Sequence, residues 1–234
     1  LDRRQRQMCI RDRWYTMVVF IIIGYVTVGL RFATITAILL AFIGATGMWM
    51  HSMITLSSVL VSVLICFVIG VPLGVLASYN KWYRDIQNVV LDAMQTLPYF
   101  CYLIPVLMFF GGNIVSAVIA TVIYSVPPII RLTALGLSQV SGGYSEVSKS
   151  FGGTGIQTLN KVKFPLAVPS LVMGFNQTVI MAFAMQIVTP LIGGKGLGLQ
   201  VFNALQRSDT GRGLSAGLAI VLLAIIIDRI THAW

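Results

Sequence analysis

Long apolar runs follow one another along most of the chain and are separated by short polar stretches. The runs cover residues 14–30, 32–50, 55–77, 89–110, 114–130, 165–192 and 214–227. A helix needs about 20 mostly apolar residues to cross the hydrocarbon core of a bilayer. The pattern therefore predicts an all-α integral membrane protein, a polytopic helical bundle of about seven transmembrane helices.

The first three runs carry signals for turns and close packing. Only Arg31 separates the first two runs, which predicts a helical hairpin with a tight turn there. The third run contains Gly70, Pro72 and Gly74. Small residues let membrane helices approach closely, and neighbouring helices tolerate a proline kink. We therefore expect a kinked third helix that packs tightly against a neighbour.

Polar residues and prolines set the later boundaries. Residues 78–88 are polar with flanking aromatic side chains and predict an interfacial loop. Pro98 and Pro105 lie inside the fourth run, so a straight span is not expected there. Pro127 and Pro128 are expected to close the fifth run. A polar loop is predicted around 207–212.

Composition supports a membrane protein. The chain of 234 residues is 57% hydrophobic and only 10% charged, with a mean hydropathy of +0.88. A water-soluble domain is excluded at this apolar content. The formal charge of +9 reflects basic residues between the apolar runs, as in cytoplasmic loops, and predicts no nucleic-acid partner.

The basic residues predict an orientation. If residues 133–164 are cytoplasmic, eight basic residues fall inside and three outside. Those inside are Arg31, Lys81, Arg84, Arg131, Lys149, Lys161, Lys163 and Arg229, and those outside are Lys195, Arg207 and Arg212. Residues 1–13 contain five arginines that would break this rule. We interpret residues 1–13 as a non-native extension and 14–234 as the transmembrane domain.

The sequence offers no catalytic or metal site. No pair of carboxylates, no serine with a base and no cysteine with a histidine occurs in a plausible arrangement, and the two histidines lack neighbouring ligands at metal spacing. The glycine-rich stretch 193–198 resembles a phosphate-binding loop. However, Gly196 follows Lys195 where that loop needs Ser or Thr, so we expect a capping or re-entrant loop.

The stretch 146–165 reads EVSKSFGGTGIQTLNKVKFP. It resembles the EAA loop of binding-protein-dependent ABC importer permeases, in which Glu-Ala-Ala, a glycine and a final proline occur at fixed spacing. Glu146, Gly152 and Pro165 match that spacing, whereas Val147 and Ser148 replace the alanines. An ordinary amphipathic loop is the alternative interpretation.

The resemblance extends over nearly everything after Arg31. Stretches 91–111, 125–140, 164–185, 192–198 and 220–231 look like the permease of glycine betaine and proline betaine importers. This implies a type I ABC importer permease (MetI-like) fold in the bacterial inner membrane. It also implies a second permease copy, two cytoplasmic ATPase subunits that bind ATP and Mg²⁺, and an extracytoplasmic substrate-binding protein. No cofactor is expected in this chain.

The resemblance implies that a short helix parallel to the membrane docks into a groove on the ATPase, with Gly152 allowing a sharp turn after it. The predicted coupling residues are Glu146, Val147, Ser148, Lys149, Ser150, Phe151, Gly152 and Pro165.

Polar and aromatic side chains inside the runs are candidates for the translocation path. They are Asn176, Gln177, Met181, Tyr99 and Tyr102. Gln177 and Gln186 lie about 180° apart on a straight helix, so one of the two is expected to join helices. Tyr99, Phe100, Tyr102 and Tyr124 could attract a quaternary ammonium by cation–π contact, although packing is the commoner role of such rings.

The predicted function is a permease subunit of an ATP-driven importer for a quaternary amine or compatible solute such as glycine betaine, proline betaine, choline or trimethylamine N-oxide. The alternatives are a secondary transporter or channel that needs no ATPase, and a membrane scaffold without transport. A secondary transporter would require charges or ion sites at mid-span.

Overall fold

The computed structural model describes the backbone of residues 3–232, and the side chains of that range except residues 3–14, 145, 149 and 232. The prediction for residues 1–13 therefore concerns side chains outside the described part. The chain divides into two compact units, one of Ser58–Gly194 and one of Leu1–Ser57 with Lys195–Trp234.

Every regular element between residues 3 and 232 is helical, as the sequence predicts. The α-helices are α1 (Arg3–Thr27), α2 (Leu30–Ala45), α3 (Trp49–Tyr79), α4 (Lys81–Thr96), α5 (Phe100–Phe110), α6 (Ile114–Gln139), α7 (Gly142–Ser150), α8 (Gly155–Thr158), α9 (Phe164–Met185), α10 (Leu197–Arg207) and α11 (Thr210–His232). A π-helical turn, Leu159–Lys163, joins α8 to α9, and a 3₁₀ turn, Thr189–Ile192, follows α9.

Four helices in the described part are long and apolar enough to cross a membrane, fewer than the seven expected. They are Trp49–Tyr79, Ile114–Gln139, Gly155–Met185 and Thr210–Thr231. A fifth span is possible if α4 and α5, which meet at 97°, cross together. Two shorter apolar helices, Tyr15–Thr27 and Leu30–Ala45, account for the first two runs. The polytopic helical class is confirmed, and the count of seven is approximate.

In the unit Ser58–Gly194, small residues bring α3 and α9 onto α6. A Cβ atom on Gly74 of α3 would lie 2.7 Å from the carbonyl oxygen of Ile130. A Cβ atom on Gly136 of α6 would lie 2.6 Å from Ser170 of α9. The helices therefore pack backbone against backbone, as small residues permit in membranes.

Gln186 is the glutamine that joins helices. Its side chain is buried, and its Nε2 donates to the Thr121 hydroxyl of α6 at 3.3 Å. The same hydroxyl donates to the carbonyl of Ala117 at 2.8 Å. This bond ties the C-terminal end of α9 to α6.

In the unit that contains both chain ends, the stretch 195–198 is pressed onto the start of α3. The backbone N–H of Leu197 donates to the Thr55 hydroxyl at 2.8 Å. A Cβ atom on Gly196, which has φ 103°, would lie 3.1 Å from the carbonyl oxygen of His51. Gln200 contacts His51 Nδ1 at 3.3 Å and accepts from Arg212 Nε at 3.0 Å.

Two predicted loops are wrong. Residues 78–88 hold the end of α3 and the start of α4, because the Asn80 side chain accepts from the N–H groups of Trp82 and Tyr83 and caps the new helix. The polar stretch 207–212 shrinks to a link of two residues: α10 runs to Arg207, and Asp209 accepts from the N–H of Arg212 at 3.1 Å.

Two predicted boundaries are also wrong. The predicted helical hairpin with a tight turn is present, but the turn lies at Gly29, whose φ is 111°, and Arg31 already lies in α2. Helix α6 continues through Pro127 and Pro128 to Gln139. Residues 133–139, which were predicted to begin the loop 133–164, are therefore helical. Both prolines are buried. Neighbouring helices can supply partners for the backbone groups that proline leaves unbonded, so a membrane helix can continue past proline.

Replacing Gly74 by alanine should destabilise the protein, because the added methyl group would overlap Thr133 and the carbonyl of Ile130. Overpacking of this kind costs about 1–3 kcal/mol. We expect a lower midpoint of thermal unfolding in detergent. Gly217→Ala on α11 is the control, since nothing lies within 4 Å of its added Cβ atom. Equal midpoints for both variants would contradict the close packing of α3 and α6.

Candidate functional site

Helix α7 and the residue after it present an outward apolar face. Tyr144, Val147 and Phe151 follow the three- and four-residue spacing of one helix side. Their exposed fractions are 56%, 56% and 88%. We call these three residues the α7 apolar face. Exposed apolar side chains that lie together mark a surface that contacts a protein partner or a membrane.

An open groove of about 490 Å³ runs beside this face. Its lining comes from α7, the following turn, α8 and the π-helical turn: Tyr144, Val147, Ser148, Phe151, Gly153, Gln157, Lys161 and Val162. The groove therefore joins α7 to the chain that leads into α9.

Gly152 ends helix α7. Its φ of 78° lies in the left-handed region, which residues with a Cβ atom adopt at a cost. The N–H of Gly153 then donates back to the carbonyl of Ser148 at 2.9 Å, as in a Schellman C-cap. A Cβ atom on Gly153 would lie 2.7 Å from that carbonyl oxygen, so both glycines suit the sharp turn.

Hydroxyl groups fasten α7 to the start of the next helix. The Ser148 and Thr158 hydroxyls lie 2.8 Å apart, and Thr158 is buried. Thr154 and Gln157 form a reciprocal capping box at the start of α8. Since α8, the π-helical turn and α9 form one continuous apolar helix, Gly155–Met185, this bond links α7 directly to a span.

Pro165 sits just after the π-helical turn Leu159–Lys163. Proline lacks the N–H that would bond the carbonyl four residues earlier, and in the π turn the N–H of Phe164 reaches the carbonyl of Leu159. Such single π turns often occur at functional sites. Lys163 packs over the ring of Tyr79 at the end of α3, with its Nζ 5.3 Å from the ring centroid.

The predicted coupling residues lie on several sides of this segment. Glu146 and Ser150 are exposed, and the Ser150 hydroxyl donates to the carbonyl of Glu146 at 3.0 Å. Ser148 is half-buried. The side chain of Lys149 lies outside the described part. Their contact with an ATPase remains a prediction.

The predicted path residues fall into two groups. On α9, Asn176 is buried, Met181 is half-buried and Gln177 is exposed, so Asn176 and Gln177 face different surroundings. Tyr99 and Tyr102 lie together at the bend between α4 and α5, with ring centroids 6.0 Å and 6.1 Å from that of Tyr124. A role of these side chains in translocation remains a prediction.

Sequence reasoning missed three residues that shape the segment predicted to couple to the ATPase. Tyr144 precedes the recognised motif, although its spacing to Val147 and Phe151 would have revealed it. Thr154 was readable as the first residue of a Thr-x-x-Gln capping box. Thr158 carried no signal, because its role depends on the distant Ser148 hydroxyl.

Within the described residues, no group of three or more His, Cys, Asp or Glu side chains could hold a metal ion.

The ion pair between Arg131 of α6 and Asp92 of α4 is largely exposed, with 38% and 62% of the two side chains accessible. Exposed pairs contribute little to stability.

A family described as binding-protein-dependent transport system inner membrane component matches residues 70–233. The chain is 42% identical over 217 residues to the glycine betaine/proline betaine transport system permease protein ProW of Escherichia coli (strain K12). That match covers 93% of this chain and 61% of the relative, so the chain spans about three fifths of the relative's length.

Other relatives are similarly named. The glycine betaine transport system permease protein OpuAB of Bacillus subtilis (strain 168) is 42% identical over 88% of this chain and 72% of its own length. The trimethylamine N-oxide transport system permease protein TmoV of Ruegeria pomeroyi is 36% identical over 88% of this chain and 31% of its own length.

A solved structure of the MetNI methionine ABC transporter in inward facing conformations matches with a TM-score of 0.66 and 26% identity. The match covers 77% of this chain and 92% of that chain. The helical arrangement is therefore that of an ABC transporter permease of the MetI-like fold.

Replacing Gly152 by alanine should loosen the end of α7, because a residue with a Cβ atom pays about 1 kcal/mol or more in the left-handed region. We expect faster amide hydrogen exchange over residues 142–153, measured by mass spectrometry. Gly155→Ala is the matched control, since it has open space and no positive φ. Unchanged exchange in Gly152→Ala would show that the turn does not hold the helix end.

Proposed function

Because the chain belongs to the family of binding-protein-dependent transport system inner membrane components, we propose that it is the membrane-spanning permease subunit of an ATP-driven importer. It is a multi-pass protein of the bacterial inner membrane. The family implies that ATP and Mg²⁺ bind to a partner ATPase, and that this chain is not itself an enzyme.

The observation that carries the proposal is the α7 apolar face at the turn between two membrane-length helices. A short helix with an exposed apolar face can lie in a groove of a partner protein. The Ser148–Thr158 bond then connects that docked helix to the long helix Gly155–Met185. Closure of the ATPases would move α7, and α7 would move the spans that line the translocation path.

The assembly that we propose has two copies of this permease, two cytoplasmic ATPase subunits and an extracytoplasmic substrate-binding protein. The substrate-binding protein delivers the solute, and the permease alternates between outward-open and inward-open states. The coupling residues would be Glu146, Val147, Ser148, Lys149, Ser150, Phe151, Gly152 and Pro165, joined by Tyr144 on the α7 apolar face.

The proposed cargo is a small compatible solute with a quaternary amine or amine oxide. Relatives named for glycine betaine, proline betaine and trimethylamine N-oxide support this class. These solutes share a compact methylated nitrogen, and the first two also carry a carboxylate.

Uptake of labelled solute tests the proposal. Vesicles would hold the permease with the ATPase and binding protein from its own gene neighbourhood, and would be loaded with or without ATP. We expect accumulation of glycine betaine, choline or trimethylamine N-oxide only when ATP is inside. Uptake without ATP or the ATPase would instead establish a secondary transporter.

A matched pair of variants tests the coupling surface in the same vesicles. Phe151→Ala removes an 88% exposed ring of the α7 apolar face, and Phe109→Ala removes an 84% exposed ring of α5. We expect Phe151→Ala and Glu146→Ala to lower ATPase co-purification and ATP-dependent uptake at least tenfold, while membrane insertion stays normal. Phe109→Ala should keep the ATPase. Normal co-purification and uptake in Phe151→Ala and Glu146→Ala would refute the coupling surface.

A further inference from the structure

The bend between α4 and α5 is built around Pro98. Proline has no N–H, so the carbonyl of Met94, four residues earlier, loses its usual helical partner. The hydroxyl of Tyr102 donates to that carbonyl instead. The bond fixes the position of the Tyr102 ring at the point where the two helices meet at 97°.

Three tyrosine rings meet at this bend, and we call Tyr99, Tyr102 and Tyr124 the tyrosine cluster. Tyr99 and Tyr124 have centroids 6.0 Å apart with planes at 88°. Tyr102 and Tyr124 have centroids 6.1 Å apart with planes at 62°. Two rings at nearly a right angle form adjacent walls, so one cation can lie within about 6 Å of both centroids, the range of cation–π attraction.

The tyrosine cluster packs against buried residues on one side and is partly exposed on the other. Tyr124 packs against a buried apolar cluster of Leu103, Val106, Ala120, Met185 and Ile192. On the other side, Tyr99 is 42% exposed, and Tyr102 and Tyr124 are half-buried. The rings therefore rest on a packed base while part of their surface stays exposed.

The cluster lies partway along a membrane-length helix. Tyr124 is about 15 Å from the start of α6, which is about 39 Å long at 1.5 Å per residue. A broken helix at such a depth is typical of solute sites in transporters. The C-terminal end of α4 adds the negative end of its helix dipole to the bend, which favours a cation.

The chemistry selects a particular kind of cation. Asp92 is the acid of α4 nearest to the bend along the chain, and its carboxylate already pairs with Arg131. Attraction of a cation therefore rests on the rings and the carbonyl groups, not on this carboxylate. Rings and carbonyl groups satisfy a weakly hydrated cation with methyl groups better than a strongly hydrated one, and quaternary ammonium recognition is the known use of aromatic cages.

We propose that the tyrosine cluster binds the methylated, positively charged nitrogen of the solute inside the permease, at a station separate from the substrate-binding protein. The choice of solute rests on the proposed function. The site itself requires neither ATP nor a partner, so binding can be measured apart from transport.

The test is ligand-observed saturation-transfer NMR on the purified full chain in detergent. The probe is glycine betaine, and the control is 3,3-dimethylbutanoate, which has the same shape without the positive charge. We expect transfer to the methyl groups of glycine betaine and none to the control. Absent binding of glycine betaine, or equal binding of both compounds, would overturn the site.

Ring variants locate the binding. Tyr99→Phe keeps the ring and should bind within about twofold of the unchanged chain. Tyr99→Leu and Tyr124→Leu each remove one wall and should bind on the order of tenfold more weakly. Tyr99 is partly exposed, so its leucine variant is expected to fold, as the elution of a single species in gel filtration would show. Unweakened binding by a folded Tyr99→Leu would overturn the proposal.

The binding test and the uptake test can fail separately, so a failure of the tyrosine cluster is distinguishable from a failure of the importer. ATP-dependent uptake by a chain that binds no glycine betaine in detergent would overturn the tyrosine cluster and leave the importer standing. Binding at the cluster without ATP-dependent uptake would support the site and refute the importer.

Discussion

Inside a bilayer, each backbone N–H and C=O group must find its partner within the protein, because no water is available to replace a missing hydrogen bond. Three breaks between the described helices show how this chain meets that constraint. Asn80 and Asn113 accept from the first N–H groups of α4 and α6. Tyr102 donates to the carbonyl that Pro98 leaves without a donor. At these three breaks a side chain therefore supplies the missing backbone partner.

The breaks matter because the helices between them, α3, α6 and α9, pack closely against one another. Glycines let α6 touch both α3 and α9 through backbone atoms, and the bond between Gln186 and Thr121 fastens the C-terminal end of α9 to α6. A force applied to α7 reaches this packed group through the bond between Ser148 and Thr158. Close packing makes such a group shift as a body rather than bend.

Much of this was readable from the sequence. Apolar runs gave the helical membrane class, because hydropathy directly reflects the solvent of a helix. The spacing of Glu146, Gly152 and Pro165 predicted a coupling segment, and the sharp turn expected at Gly152 is present with φ 78°. A role of this segment in coupling stays a prediction. Glutamines 180° apart predicted that one would join helices, and Gln186 does so.

The errors have a common physical origin. Pro127 and Pro128 were expected to end a helix from local propensity, but α6 stays helical through both, and both are buried against neighbours. The polar residues 78–88 were expected to be a loop, yet a single cap at Asn80 starts α4 there. The sequence names Tyr99, Tyr102 and Tyr124 as candidates one by one, but their meeting depends on bringing α5 and α6 together, which no local pattern encodes.

We propose that α7 and α9 move as one body when the ATPases close. The most direct measurement is the distance between spin labels at Gly143 of α7 and Met173 of α9, both exposed and both outside the predicted coupling residues, in a chain with its native cysteines replaced and assembled with its ATPase. We expect ATP binding to change this distance by less than about 2 Å. A shift of several ångströms, or a clear broadening of the distribution, would contradict it, since α7 would then move without carrying the span.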